Sequence, residues 1–78
     1  MTLPTVEVDA TAVRPGHLIP VDGITARIQY VEQAGRKRIL HWISCDDGDA
    51  GSLPVRAGGV VLCIRTADWL AAQGGGRG

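Results

Sequence analysis

Apolar and polar residues alternate along much of this chain, and a period of two is the pattern of a β-strand with one buried face. The first such segment, Thr5–Asp9, turns Val6 and Val8 to the same side. The longest segment, Ile24–Val31, follows an Asp-Gly dipeptide that favours a tight hairpin, because both residues tolerate positive φ. The alternation predicts that the core-facing residues of this strand are Ile24, Ala26, Ile28 and Tyr30.

The segment Lys37–Ser44 carries two competing patterns. As a helix it would gather its apolar residues into one arc opposite its basic ones. The strand is favoured because the segment is short, lacks a good N-cap and is rich in β-branched and aromatic residues, but the helix stays open at this point. As a strand it would place Ile39, His41 and Ile43 on one face and Leu40 and Trp42 on the other.

Shorter elements follow a polar loop that contains Asp46, Asp47 and Asp49. Leu53–Val55 reads as a short strand, and its proline lacks an N–H and so suits a sheet edge or the start of a strand. Val60–Ile64 is a continuous apolar run, as expected of a strand that is covered on both faces. Residues 66–73 are predicted to form a short helix. We expect Trp69 and Leu70 on this helix to cover one opening of the barrel that the strands form.

A proline-glycine turn within Val13–Ile19 precedes the Asp22-Gly23 hairpin and the long strand Ile24–Val31. This order, over residues 1–45, resembles the opening of small SH3-like barrels. Five short strands joined by tight turns favour a small closed or nearly closed barrel, which buries their apolar faces without long exposed edges. Together with the resemblance they predict a mainly β fold, a single five-stranded SH3-like barrel over residues 1–73 with a short C-terminal helix, before a disordered Gly-rich tail over residues 74–78. Such barrels bind peptides, nucleic acids or other proteins, so the resemblance implies a fold and no particular function.

Charge and composition limit the partners, the cellular location and the source that we expect for this protein. Eight basic and eight acidic side chains give a formal net charge of zero, so no global field attracts a polyanion. No run approaches the ~20 apolar residues of a membrane span, and the N-terminus lacks a basic region followed by an apolar one, so we expect a cytoplasmic protein. The 11 glycines, the single lysine and the absence of phenylalanine are typical of a GC-rich genome, such as that of an actinobacterium or one of its phages.

No motif indicates catalysis, a metal or a cofactor. The three aspartates of the polar loop do not match the spacing of an EF-hand. On a strand, His41 and Cys45 lie about 13 Å apart, too far for an acid–base pair, so we predict a protein that is not an enzyme. Whether Cys45 pairs with Cys63 stays open at this point. The four residues of zinc-ligand type lack the close pairs that nucleate a site, and they are His17, His41, Cys45 and Cys63.

The leading hypothesis for function is a protein-binding module, an accessory or host-directed factor of a phage or mobile element. Interface hot spots favour tryptophan and arginine. The predicted anchors are therefore whichever of Trp42 and Trp69 is exposed, with Arg27, Arg38 and Arg65 as rim contacts.

Two alternatives remain. The first is nucleic-acid binding through the basic segment at residues 36–38, with Arg27 as a fourth cation beside it across a hairpin. The second is a homo-oligomeric structural subunit that assembles through the edge at Leu53–Val55. The residues of the nucleic-acid alternative are Arg27, Arg36, Lys37 and Arg38.

Overall fold

The computed structural model describes residues 3–75. Six antiparallel strands form one open sheet in the order β1-β6-β2-β3-β4-β5, so β1 and β5 are its edges. A 3₁₀ turn at Ala10–Ala12 follows the first strand, and one helix follows the last. The elements are β1 (Thr5–Asp9), β2 (Leu18–Val21), β3 (Ile24–Ala34), β4 (Lys37–Ser44), β5 (Ala50–Arg56), β6 (Val60–Ile64) and α1 (Thr66–Gly75).

The mainly β prediction is confirmed, whereas a five-stranded closed barrel is not. The described residues form six strands because the segment Leu18–Val21, which follows the proline-glycine turn, pairs as a strand of its own. It pairs along its length with β3 and touches β6 through Leu18 and Ile64. The edge position predicted for Leu53–Val55 is confirmed, although β5 is longer than expected and includes two residues of the predicted loop.

Two turns form where the sequence predicts them. Gly16 takes φ +97° after Pro15, and the N–H of His17 donates to the carbonyl of Arg14 at 3.2 Å. At the β2–β3 hairpin, Asp22 and its glycine neighbour have φ of +49° and +83°, the two left-handed positions that a tight hairpin requires.

The segment Lys37–Ser44 is a strand, and the helical alternative is wrong. It pairs with β3 on one side and with β5 on the other. A segment between two partners satisfies its backbone N–H and C=O groups in two ladders, which outweighs its helical periodicity. Leu40 and Trp42 share one face and His41 lies on the other, as the strand pattern predicts.

The prediction that Tyr30 is a core residue is wrong. The β3–β4 register shifts between Ile28 and Tyr30, so Gln29 is the extra residue of a β-bulge. Beyond it the alternation changes phase: Val31 packs against the core, whereas Tyr30 is 56% exposed. A bulge leaves no mark in a hydrophobic pattern, because both phases place an apolar residue toward the core.

We call the face of the sheet that carries the core the inner face, and the opposite one the outer face. The core is built from small and branched apolar side chains and contains no aromatic ring among its fully buried members. Trp42 packs against it while only half-buried. The buried cluster comprises Ala10, Val13, Ile19, Ala26, Ile28, Leu40, Val61 and Cys63.

Helix α1 is confirmed, but the predicted covering role of Leu70 is wrong, because Leu70 is 56% exposed. Among the described residues α1 makes no extended contact with any strand, and Trp69 is half-buried. It runs to Gly75 and so passes the predicted end at Gly74. The rest of the predicted disordered tail, residues 76–78, lies outside the described residues. No helix within residues 3–75 is long and apolar enough to cross a membrane.

Candidate functional site

The outer face of β6 is apolar and only partly covered. Val61 and Cys63 point inward and are buried. Of the outward residues, Val60 is 60% exposed and Leu62 is 49% exposed, whereas Ile64 is only 4% exposed. The prediction that β6 is covered on both faces is therefore wrong over most of its length. We call the outward side chains of Val60, Leu62 and Ile64 the β6 face.

A shallow groove of about 390 Å³ continues the β6 face toward the β2–β3 hairpin. Leu62 and Ile64 form one wall, and Pro20 lies on the outward side of the neighbouring strand. Apolar side chains dominate this groove, as in surfaces that bind other proteins. Its lining is Leu3, Thr5, Pro20, Gly23, Ile24, Thr25, Leu62 and Ile64.

Two carboxylates border the β6 face. Glu7 pairs across the sheet with Leu62, and Asp9 pairs with Val60, so both share the outward orientation of their partners. The carboxylate of Asp9 accepts hydrogen bonds from the backbone N–H of Thr11 at 3.0 Å and from its hydroxyl at 2.8 Å. These bonds lower the pKa of Asp9 below the ordinary value for aspartate, so this border stays negative at neutral pH.

A second surface lies at the far end of the β3–β4 hairpin. An open cleft of about 620 Å³ is lined by the cations Arg36, Lys37 and Arg56, together with Gly35, Ala57 and Gly58. Lys37 and Arg56 are direct cross-strand partners, and the carbonyl of Arg36 accepts from the N–H of Ala57 at 3.1 Å. Among the ion pairs of the described residues, none involves these three cations. We call this group the tip cations.

An aromatic pair occupies the outer face between the two surfaces. The rings of Tyr30 and His41 stack with centroids 4.2 Å apart and an interplanar angle of 14°. Nε2 of His41 lies 2.9 Å from a carboxylate oxygen of Glu32. The exposed phenol and the imidazole held by Glu32 form a flat platform on a sheet surface.

The two tryptophans differ as candidate anchors, and neither is fully buried. Trp42 lies on the inner face, where its indole covers Gly51 so closely that a Cβ there would come within 2.9 Å of Cε2. Its contacts make it a core-packing residue that is poorly placed to bind a partner. Trp69 is half-buried in α1, beside the exposed Leu70.

The three predicted rim arginines lie in different places. Arg27 is exposed on the outer face, paired with Leu18, whose other partner is Ile64 of the β6 face. Arg65 follows Ile64 directly, and its Nε donates to Asp68 at 3.1 Å. Arg38 does not join them, because it lies on the inner side of β4 and its Nη1 donates to the carbonyl of Thr11 at 3.2 Å.

The structure does not bring together the predicted nucleic-acid set of Arg27, Arg36, Lys37 and Arg38. Arg27 pairs with Ile43, six residues along β4 from Lys37, which corresponds to about 20 Å. Arg38 points to the opposite face. The sequence analysis missed Arg56, which the β4–β5 register places opposite Lys37. Nothing in the sequence around Lys37 or Arg56 predicts that they pair, because the register of β4 with β5 depends on the length of the loop between these strands.

The residues of zinc-ligand type have other surroundings. Nδ1 of His17 accepts from the N–H of Arg14 at 2.8 Å inside the proline-glycine turn. Cys45 and Cys63 are both free thiols, and burial raises the pKa of Cys63. Over residues 3–75 no three histidine, cysteine or acidic side chains converge in a way that could hold a metal ion.

Comparisons with known proteins add no relative. No protein-family model matches the chain, and neither the curated proteins nor the solved structures contain a match to it.

Proposed function

We propose that this protein is a non-enzymatic protein-interaction module that docks through the β6 face. The observation that carries the proposal is the exposure of Val60 and Leu62 on β6, which pairs with β1 along its length and with β2 at Ile64. The solvent side of an antiparallel sheet normally carries polar residues, and an apolar strip beside a groove is typical of an interaction surface.

The surface indicates the chemistry of the partner. Apolar side chains of the partner would enter the groove beside Leu62, and basic side chains would face Glu7 and Asp9 at its border. Arg27 remains a rim contact because it borders the Leu18–Ile64 end of the same surface. The candidate anchor thus moves from the tryptophans to Leu62. The small groove favours a modest interface and transient binding.

A coiled, barrel-like sheet of the SH3-like kind is part of this proposal. Val8 of the edge strand β1 and Val55 of the opposite edge strand β5 both pack against the same core cluster. In a flat sheet six strands wide these edges would lie about 24 Å apart. Because both edge strands pack against one core, we infer that the sheet is strongly coiled, with its inner face on the inside of the curve. We also propose a cytoplasmic, phage- or mobile-element-associated setting, which rests on the composition alone.

Affinity capture from a lysate of the source organism or its host, followed by binding measurements on the purified partner, tests the proposal. Leu62→Asp should weaken that binding by about 30-fold or more, since it charges a hot-spot position. Leu70→Asp is the matched control because Leu70 is similarly exposed (56% against 49% for Leu62) but lies on α1, and it should retain binding. Nuclease treatment of the lysate should leave capture unchanged.

Two outcomes would contradict this proposal. Equal affinities of the wild type and Leu62→Asp would remove the β6 face from the interaction. A molecular mass that rises with protein concentration, and falls in Leu53→Asp, would favour the homo-oligomeric subunit assembled through the exposed edge strand β5.

A further inference from the structure

We propose that the outer face of the β3–β4–β5 region binds a short segment of single-stranded nucleic acid, with the tip cations holding phosphates and the Tyr30–His41 pair stacking a base. This surface shares Arg27 with the rim of the proposed docking surface and otherwise lies apart from the β6 face, and the inference does not depend on the docking function. Two independent features support it, one electrostatic and one aromatic.

The electrostatic feature is a pair of like charges at directly opposed positions. Lys37 and Arg56 are cross-strand partners, and like charges at such positions repel each other. Arg36 adds a third cation to the same cleft, and no carboxylate lines it. The hydrogen bond from Ala57 to the Arg36 carbonyl ties the two turns together, so the cluster is held in place. A bound anion would relieve the repulsion, and phosphate oxygens suit this arrangement.

The aromatic feature lies on the same face. In the regular register of β4 with β5, His41 is four residues from Lys37, which puts both side chains on one side about 13 Å apart. The ring of Tyr30 lies stacked on His41 and is 56% exposed. An exposed flat ring beside cations is the combination with which proteins bind unpaired bases and the backbone that joins them.

Arg27 extends the surface beyond the aromatic pair. It pairs with Ile43, which shares the outward face of His41. Arg27, the Tyr30–His41 pair and the tip cations therefore form a strip about 20 Å long. This strip keeps three of the four cations of the nucleic-acid alternative, replaces Arg38 with Arg56, and adds the platform for a base.

Single strands fit this strip better than duplexes. Stacking on an exposed side chain requires a base that is free of its own neighbours, and a duplex withholds its bases from such a ring. The carboxylate of Glu32 also lies on this part of the face, and it contacts His41 at 2.9 Å. Its charge opposes nearby phosphates, so Glu32→Gln should strengthen binding.

Fluorescence anisotropy with labelled single strands of about ten nucleotides, one DNA and one RNA, tests the proposal. With four cations engaged, the logarithm of affinity should fall against the logarithm of salt concentration with a slope of about −2.8, a loss of about 50-fold between about 50 and 200 mM salt. The double variant Lys37→Gln with Arg56→Gln should reduce the slope to about −1.4.

Variants of the platform separate stacking from charge. Tyr30→Ala should weaken binding by about 5- to 150-fold, and Tyr30→Phe should restore most of it because the ring is kept. Arg65→Gln removes one exposed cation outside the strip and is the charge control, expected to change affinity less than about twofold. Circular dichroism of each variant confirms that the fold is retained.

Three results would overturn the inference. One is the absence of binding to either single strand at about 50 mM salt. Another is tighter binding to the matching duplex than to the single strand. The third is loss of binding in the double cation variant with no change in Tyr30→Ala, which would assign a plain anion site at the tip.

Discussion

The two faces of β6 have nearly the same composition and different surroundings. Val61 and Cys63 on the inner face are buried in the core. Val60 and Leu62, which alternate with them, remain exposed on the outer face. An unbroken apolar run is normally explained by burial on both sides. Here the fold explains the apolar residues on one side, and the docking proposal concerns those on the other.

This contrast separates residues that specify the fold from residues that are free to bind. The inner face places small and branched side chains in contact, from the first strand to the last. The outer face carries three groups of side chains whose capacity for contacts is only partly used within the folded protein: the β6 face, the Tyr30–His41 pair and the tip cations. Substitutions on the two faces should therefore differ in what they damage.

The largest expected effect compares two leucines. Leu40 is fully buried on the inner face and Leu62 is 49% exposed on the outer face. Leu40→Ala should lower the free energy of unfolding by about 2–5 kcal/mol, because it leaves a cavity in the core. Leu62→Ala should lower it by less than about 1 kcal/mol, since much of its surface already contacts water. Urea denaturation of both variants measures the difference, and equal losses would contradict the division between the faces.

A smaller effect is expected at Gly51. A Cβ at this position would overlap the indole of Trp42, so Gly51→Ala should cost about 1–3 kcal/mol of stability by overpacking. Gly58→Ala is the matched control, because nothing lies within 4 Å of the Cβ it would add and its φ is not positive. Thermal denaturation should show a lower midpoint for the first variant and little change for the second. A neutral Gly51→Ala would mean that the indole moves aside freely.

Much of the fold can be predicted from this sequence, because its strands and turns are encoded locally. Alternation locates β1 and β3, β-branched and aromatic residues favour β4 as a strand, and the Asp22-Gly23 dipeptide predicts its hairpin through backbone preference. The bulge at Gln29 is not predictable in this way, and it alone moves Tyr30 from the expected core to the outer face. The exposure of Leu70 on α1 also escapes prediction, since Trp69 and Leu70 read as covering residues.

The candidate sites are less predictable than the strands, because they depend on register between segments. Arg56 joins Lys37 only through the pairing of β5 with β4, and Arg38 leaves the basic cluster because alternate residues of a strand face opposite ways. The anchors expected on general grounds were the tryptophans. The exposed Leu62 was expected to be buried, since a sequence pattern cannot say which face of an apolar strand lacks a cover.

The smallest expected effect is on how stability changes with pH, and it concerns Asp9 on the outer face. Hydrogen bonds from Thr11 lower the pKa of Asp9 in the folded protein. A carboxyl with a depressed folded pKa contributes stability that is fully present above its unfolded value, about 3.9, and is lost as pH falls through the folded value. Wild type should therefore be slightly more stable than Asp9→Asn at about pH 6, and this advantage should shrink by about pH 3.

Urea midpoints at the two pH values measure this advantage. Glu7→Gln provides the control: it also removes a carboxylate from the outer face of β1, but the Glu7 side chain makes no hydrogen bond with the described residues. Glu7→Gln therefore controls for the loss of one negative charge at this border. If the Asp9→Asn difference stayed constant or grew on acidification, the bonds to Thr11 would not stabilise the ionised form. In that case the negative charge beside the β6 face would come from solvent-exposed carboxylates alone, without help from these hydrogen bonds.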